Sequence, residues 1–283
     1  MTFHHDNAHT RGRMKLGIGT YTYMWSIGFP GASPKRPMGP ACLLRKAIEL
    51  GASVVQMGPN IGLDLLGKSE IRALLDQASA ANIEIEYGTR GLDASQLRPQ
   101  ILFASRLGSS LLRTVPEFEP GCGPPIRAIA AQLRPLLPVL EEHRVRLAIE
   151  NGNIPALELA ALVSCLNSPW IGVTLDTANS LAIPEGTRQV VQALAKYTFS
   201  FHVKDFVVRR AWHRMGFVVE GTPAGKGQMD LPWILEQLQL AGSVPNPILE
   251  LWPPEQNELE ATIALEESWV KESIQYLRQY FPA

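Results

Sequence analysis

The sequence has little that would commit it to thiolate chemistry, nucleic acid or a membrane. Cysteine is scarce: Cys42, Cys122 and Cys165 are the only three in 283 residues. They stand too far apart for a CxxC metal knuckle and are odd in number, so a reducing, cytoplasmic setting is the simplest reading. Neither sign of charge dominates, with 26 basic against 27 acidic side chains and a net charge of −1. No cation surplus exists to neutralise phosphates, which argues against nucleic acid as the main partner. No run of roughly 18 apolar residues is present to span a bilayer, so no membrane partner is expected. The first 13 residues, MTFHHDNAHTRGR, are polar and lack the apolar core of a signal peptide. They read as a disordered tail in which His4, His5 and His9 have no supporting framework for a metal. Also missing is a glycine-rich phosphate loop: GIGTYTYMW after the first strand-like run matches neither GxGxxG nor GxxxxGK[ST], which speaks against a doubly wound open sheet.

What is there is an alternation. Short β-branched or apolar runs begin near Lys15, Ala52, Ile83, Ser110, Arg146, Ile171, Ser200 and Pro247. Between them lie segments such as LLRKAIELG, EIRALLDQASAAN and LPWILEQLQLAG, apolar at i, i+3 and i+4 as one buried helix face requires. Eight such units of about 33 residues are the length a strand, a helix and two loops need, and eight close a (β/α)8 TIM barrel. The fold class is therefore α/β, with a single catalytic domain over 14–283 following the tail of 1–13. Gly51 and Gly242 sit where helix C-caps belong, and Asp93 with Gln96 reads as an N-terminal capping pair. Pro99, Pro135 and Pro138 fall inside helical patterns and should kink or break them.

Four ionisable residues end four successive predicted strands: Glu150 in LAIEN, Asp176 in VTLDTAN, His202 in SFHVKD and Glu250 in ILELW. In a βα barrel the C-terminal strand ends converge on one face, so these residues should surround a common point. Their separations are 26, 26 and 48 residues, the first two equal to one βα unit each. Three carboxylates and an imidazole buried together would repel unless a cation or shared protons compensated. A divalent ion satisfies that need, and oxygen-rich ligation with one nitrogen favours Mn2+, Mg2+ or Co2+, with Zn2+ also allowed.

On these residues the chain resembles the xylose isomerase-like TIM barrels, which include sugar phosphate isomerases and epimerases, ketose 3-epimerases and inosose dehydratases. The resemblance runs over almost everything after Lys15, and the HVKD string at His202 and the AGKGQMD string at Ala224 look like family features. It implies a metal held by Glu150, Asp176, His202 and Glu250. One departure stands out: where ketose 3-epimerases commonly carry a substrate-binding histidine three residues after the ligand aspartate, this chain has Asn179, a substrate-binding candidate that can hydrogen-bond a hydroxyl but cannot carry a proton charge. The multinuclear zinc cluster of the nuclease branch needs many histidines, and outside the tail only His143, His202 and His213 occur.

The interval from His202 to Glu250 is the longest of the three and carries Lys204, Arg209, Arg210, His213 and Lys226. A loop over Phe206–Gly227 is expected to close over an anionic substrate, with Lys204, Arg209, Arg210 and His213 in contact with it. Tyr21, Gln56, Glu86 and Arg113 lie near the ends of the first four strands, with Tyr21 and Glu86 as substrate contacts. For Glu86 the structural alternative is pairing with Arg90 or Arg113. Trp25 and Trp252 are candidate apolar walls for a sugar. The leading expectation is an enzyme: a divalent-metal-dependent isomerase or epimerase of a keto sugar or sugar acid working through an enediolate, with Glu150 and Glu250 as its two bases. The alternative is a metal-dependent lyase, a dehydratase or decarboxylase of a keto sugar acid. A non-catalytic sugar-binding barrel is the third. Barrels of this kind often pair through rim loops, so a homo-oligomer is compatible with the sequence.

Overall fold

The structure, a computed structural model, describes residues 14–119 and 122–282. The expected tail of 1–13 lies outside the described residues. Among the described residues ten strands run in chain order: β1 Gly17–Gly19, β2 Val54–Met57, β3 Glu84–Arg90, β4 Leu111–Val115, β5 Arg146–Glu150, β6 Ile171–Asp176, β7 Thr198–Val203, β8 Phe206–Arg210, β9 Phe217–Gly221 and β10 Asn246–Leu249. Eight of them close a barrel in the order β1-β10-β7-β6-β5-β4-β3-β2, every neighbouring pair parallel. All eight anticipated runs became barrel strands. They are buried on both faces, as in β2 and β6, because helices cover the outside and side chains fill the inside.

Helices follow from the same physics. Pro40–Leu50 begins with proline in its first turn and ends at Gly51 in the left-handed conformation, φ 66°. Ala94–Arg106 is capped by the Asp93 carboxylate, which accepts from the backbone of Ser95 and Gln96, and Pro99 sits within it without ending it. Pro135 does break its helix: Ile126–Leu133 and Leu137–His143 are joined by a 3-10 turn over Arg134–Leu136. Among the described residues no helix is long and apolar enough to cross a membrane.

The segment expected to be a loop over the substrate is instead largely an antiparallel hairpin of β8 and β9, with Arg209 opposite Val218. Two β-branched runs, FVVRR and FVVEG, flank a short turn and pair with each other. The hairpin is rooted by Asp205, a buried residue. One of its oxygens accepts from the backbone of Phe206 and Met229 at 2.8 and 3.0 Å. The other accepts from Gly225 and Gly227 at 2.9 and 3.0 Å. This is the physical link between the HVKD and AGKGQMD strings: one carboxylate satisfies four backbone donors of the turn. A methyl group on Gly227 would collide with that carboxylate and with the Phe206 carbonyl.

Candidate active site

Parallel register places Asp176 opposite His202 and Glu150 opposite Thr174 at the C-terminal ends of β5, β6 and β7. All of Glu150, Asp176, His202 and Glu250 are buried. His202 Nδ1 faces the three carboxylates at once, 3.1 Å from Glu250, 3.5 Å from Glu150 and 3.7 Å from Asp176.

Each member is held by its surroundings. Asp176 Oδ1 accepts from the backbone of Ala178 and Asn179 at 2.7 and 2.8 Å, which turns Oδ2 toward His202. Glu150 is gripped on both oxygens, by the Arg113 guanidinium on Oε2 and by Asn179 Nδ2 on Oε1 at 2.7 Å. Glu250 Oε2 lies 3.2 Å from Lys204 Nζ, which also donates to Asn179 Oδ1 at 2.9 Å. On its other ring nitrogen, His202 meets Gln56 Oε1 at 2.8 Å.

Charge balance follows from these contacts. Burial opposes the charge on Lys204, but Asp176, Glu250 and Glu150 hold its pKa above the ordinary lysine value. The Asp176 carboxyl, despite burial, is held below the usual carboxylate range by Lys204 and His202. Burial opposes a charge on His202 as well, yet Glu250, Glu150 and Asp176 together raise its pKa.

Among the described residues, two buried polar atoms here lack any hydrogen-bond partner: Asp176 Oδ2 and His202 Nδ1. Such groups are costly unless something else satisfies them. Glu150, Asp176 and His202 offer ligand atoms that all lie within 4.8 Å of one another, so the trio could hold a metal ion. Their donor set of carboxylate oxygens and one imidazole nitrogen suits a divalent cation. Glu250 stands beside this trio, not within it, with one oxygen committed to Lys204.

Above the cluster opens a cavity of about 460 Å³. Of the sequence candidates, Tyr21, Glu150, Asn179, Lys204 and Glu250 line it, as does Arg113. Others are not brought there. Arg209 is spent in a bidentate pair with Glu220 on the hairpin. Arg210 stacks on Phe217 with its guanidinium carbon 4.7 Å from the ring centre, and His213 sits exposed at the hairpin turn, accepting from Met215 N. The reason is the strand pairing of β8 with β9, which spends the length that a closing loop would need. Glu86 lies beneath the site, paired with neither Arg90 nor Arg113. It accepts from Gln56, Asn246 and Ser200, and burial pushes its carboxyl up. Trp252 stays outside the cavity lining, under the Lys204 ammonium at 5.3 Å, and Trp25 is a buried packing residue whose indole donates to Pro253 O.

Sequence reasoning passed over Arg90, Glu117, Phe118, Glu119 and Asn153, all of which line the cavity. Arg90 ends β3, a position that could have marked it; the others belong to loops with no periodic signal.

Comparison with known proteins agrees with this architecture. The chain is 29% identical over 266 residues to a 3-oxo-isoapionate decarboxylase of Pectobacterium atrosepticum, covering 93% of this chain and 95% of that protein. A D-psicose 3-epimerase of Clostridium cellulolyticum H10, solved with D-tagatose, superposes with a TM-score of 0.70 at 14% identity, covering 95% and 99% of the two chains. A barrel protein of Mycobacterium smegmatis in complex with magnesium gives 0.68 at 13% identity, covering 93% and 98%. At such identities the two structural likenesses speak for the fold alone. Residues 44–280 match the family profile of the xylose isomerase-like TIM barrel; with the closed eight-stranded barrel already seen, the chain belongs to that family.

Proposed function

We propose that this protein is a divalent-metal-dependent decarboxylase of a small polyhydroxylated 3-oxo acid. The observation that carries this reading is the occupation of both Glu150 oxygens by Arg113 and Asn179. Epimerisation needs two carboxylates free to exchange protons with opposite faces of one carbon. Here Glu150 is fixed as an acceptor of hydrogen bonds, which suits a ligand better than a mobile base. The relative of Pectobacterium atrosepticum, similar over nearly its whole length, is a decarboxylase and lends the same direction.

A divalent ion held by Glu150, Asp176 and His202, with Glu250 alongside, would supply a Lewis acid for a ketone oxygen. The remaining work falls to the chain's own residues. Breaking the bond between the α-carbon and the carboxylate releases CO2 and leaves an electron pair delocalised over that carbon and the ketone oxygen. One proton must then be delivered to the carbon. Lys204 lines the cavity, keeps its proton because of the surrounding carboxylates and is the donor in this scheme; solvent restores it. Asn179 bridges Glu150 and Lys204 and so keeps ligand and acid in fixed relation.

The test is incubation of Mg2+-loaded protein with 3-oxo-isoapionate in D2O. Release of CO2 with one deuterium per product is expected. Deuterium exchange or an altered stereocentre in a keto sugar such as D-psicose, without CO2 release from the oxo acid, would return the two-base epimerase reading to first place.

A further inference from the structure

We propose that Arg90, with the Tyr21 hydroxyl, is the anchor for the substrate's carboxylate and makes the cavity selective for acids over neutral sugars; this rests on the lyase reading above and names the determinant of its substrate class. Three cations line the cavity: Arg90, Arg113 and Lys204. Arg113 is bound to Glu150, and Lys204 lies within 3.6 Å of both Asp176 and Glu250. Arg90 has no carboxylate partner among the described residues. Among those residues its side chain donates one hydrogen bond, to the Tyr21 hydroxyl at 3.2 Å. Tyr21 accepts there, so its own proton is left to donate. The guanidinium fork and this hydroxyl together present donors to one planar anion at the cavity mouth.

The geometry of Tyr21 is itself fixed from below. The Arg113 guanidinium carbon lies 5.4 Å from the centre of its ring, and Arg113 is buried and tied to Glu150. The anchor is therefore connected to the carboxylate cluster by a stacked side chain, at a constant offset from it. The positive charge lies inward: with a dication in place, the three inner carboxylates face Arg113 and Lys204, leaving one net positive charge if His202 is neutral. Glu117 and Glu119 also line the cavity, Glu117 from the strand end next to Arg90 and close to Gly91, and oppose a second negative charge, which favours a carboxylate monoanion over a phosphate dianion.

A distinctive kinetic consequence follows from the chemistry. The carboxylate's charge is lost as CO2 forms, so its attraction to Arg90 is stronger in the ground state than in the transition state. Removing Arg90 should raise KM and leave kcat unchanged or higher, the reverse of what loss of an acid does.

The test needs no turnover. Binding of erythronate, a four-carbon polyhydroxy carboxylate, and of erythritol, its neutral counterpart, is measured by calorimetry with Mg2+-loaded protein. Wild type should prefer erythronate. In Arg90→Met that preference should fall about 10–100-fold, the scale of a charged hydrogen bond, with erythritol affinity unchanged and Tyr21→Phe intermediate. A preference that survives in Arg90→Met would assign the carboxylate to the metal cluster and overturn the proposal, as would a wild-type protein without the preference. Inorganic phosphate competing as well as erythronate would overturn the carboxylate assignment. With the oxo acid, a fall in kcat at constant KM in Arg90→Met would overturn it too. Absence of CO2 release alongside an Arg90-dependent acid preference would instead sink the lyase reading and leave the anchor standing.

Discussion

Gln56 Oε1 lies 2.8 Å from His202 Nε2, and the orientation of that amide places a proton on Nε2. Gln56 Nε2 donates to Glu86 at 2.9 Å and to Ser200 Oγ at 3.2 Å, so the amide oxygen must be the atom facing His202. The ring then carries a proton on Nε2, which leaves Nδ1 as the nitrogen that could join the carboxylates in holding a metal. Support of this kind behind a metal-binding histidine orients the ring and raises its basicity. Gln56→Leu should therefore lower Mn2+ affinity about 10–100-fold with the fold retained. Titration calorimetry reads this; an unchanged affinity would remove Gln56 from any role at the site.

The proposed metal site makes its own demand. Asp176→Ala removes a carboxylate that ordinary burial would not tolerate without a partner, and the folded variant should lose most of its bound divalent metal. Elemental analysis after dialysis decides it, and undiminished metal would sink the site.

Lys204 is expected to move a proton. Lys204→Met, close to isosteric and uncharged, should cost about 10²-fold or more in kcat for CO2 release, the usual scale for a general acid. A variant with near-normal turnover would pass the role to another donor. Measuring kcat and KM separately contrasts it with Arg90, whose loss should act on KM.

Asp205 carries a structural load distinct from the chemistry. Its four backbone donors would be left without a buried acceptor in Asp205→Ala, at a cost on the order of 2–4 kcal/mol. Denaturant unfolding should show a lower midpoint. A loss under about 0.5 kcal/mol, the range of an ordinary surface change, would mean that water replaces the carboxylate freely.

Glu266 gives the molecule a pH-dependent element. It is buried and accepts from the backbone of Trp25 and Ser26 and from the Ser26 hydroxyl. Burial pushes its carboxyl up to about 7 from 4.5, with Glu267 adding to the rise and the three donors opposing it. Since the folded pKa exceeds the unfolded one, this group's contribution is fully present below about 4.5 and is lost as pH rises through about 7. The loss is on the order of 3 kcal/mol, at ~1.4 kcal/mol per unit of pKa. Comparing Tm of wild type and Glu266→Gln from pH 5 to 8.5 isolates it: the variant should have the flatter profile, and parallel profiles would refute the assignment.

Much of this was legible along the chain because the relevant signals are local and periodic. The strand runs could be placed because β-branched residues recur once per βα unit, and Glu150, Asp176 and His202 stood out because the 26-residue spacing repeats their position at successive strand ends. The Gly51 cap and the Asp93 cap were visible for the same reason: each is settled within a few residues.

What tertiary structure decided is which side chains meet across the barrel. Gln56 and His202 are 146 residues apart, and Arg113 and Glu150 are joined from neighbouring strands; periodicity gives the face of a strand but not the partner across it. Cations clustered in sequence proved misleading, since Arg209 and Arg210 are consumed within the hairpin by Glu220 and Phe217. Arg90, isolated in sequence, is the cation that folding leaves at the cavity without an ion pair among the described residues. Composition counts charges, but only closure of the barrel determines which are already paired.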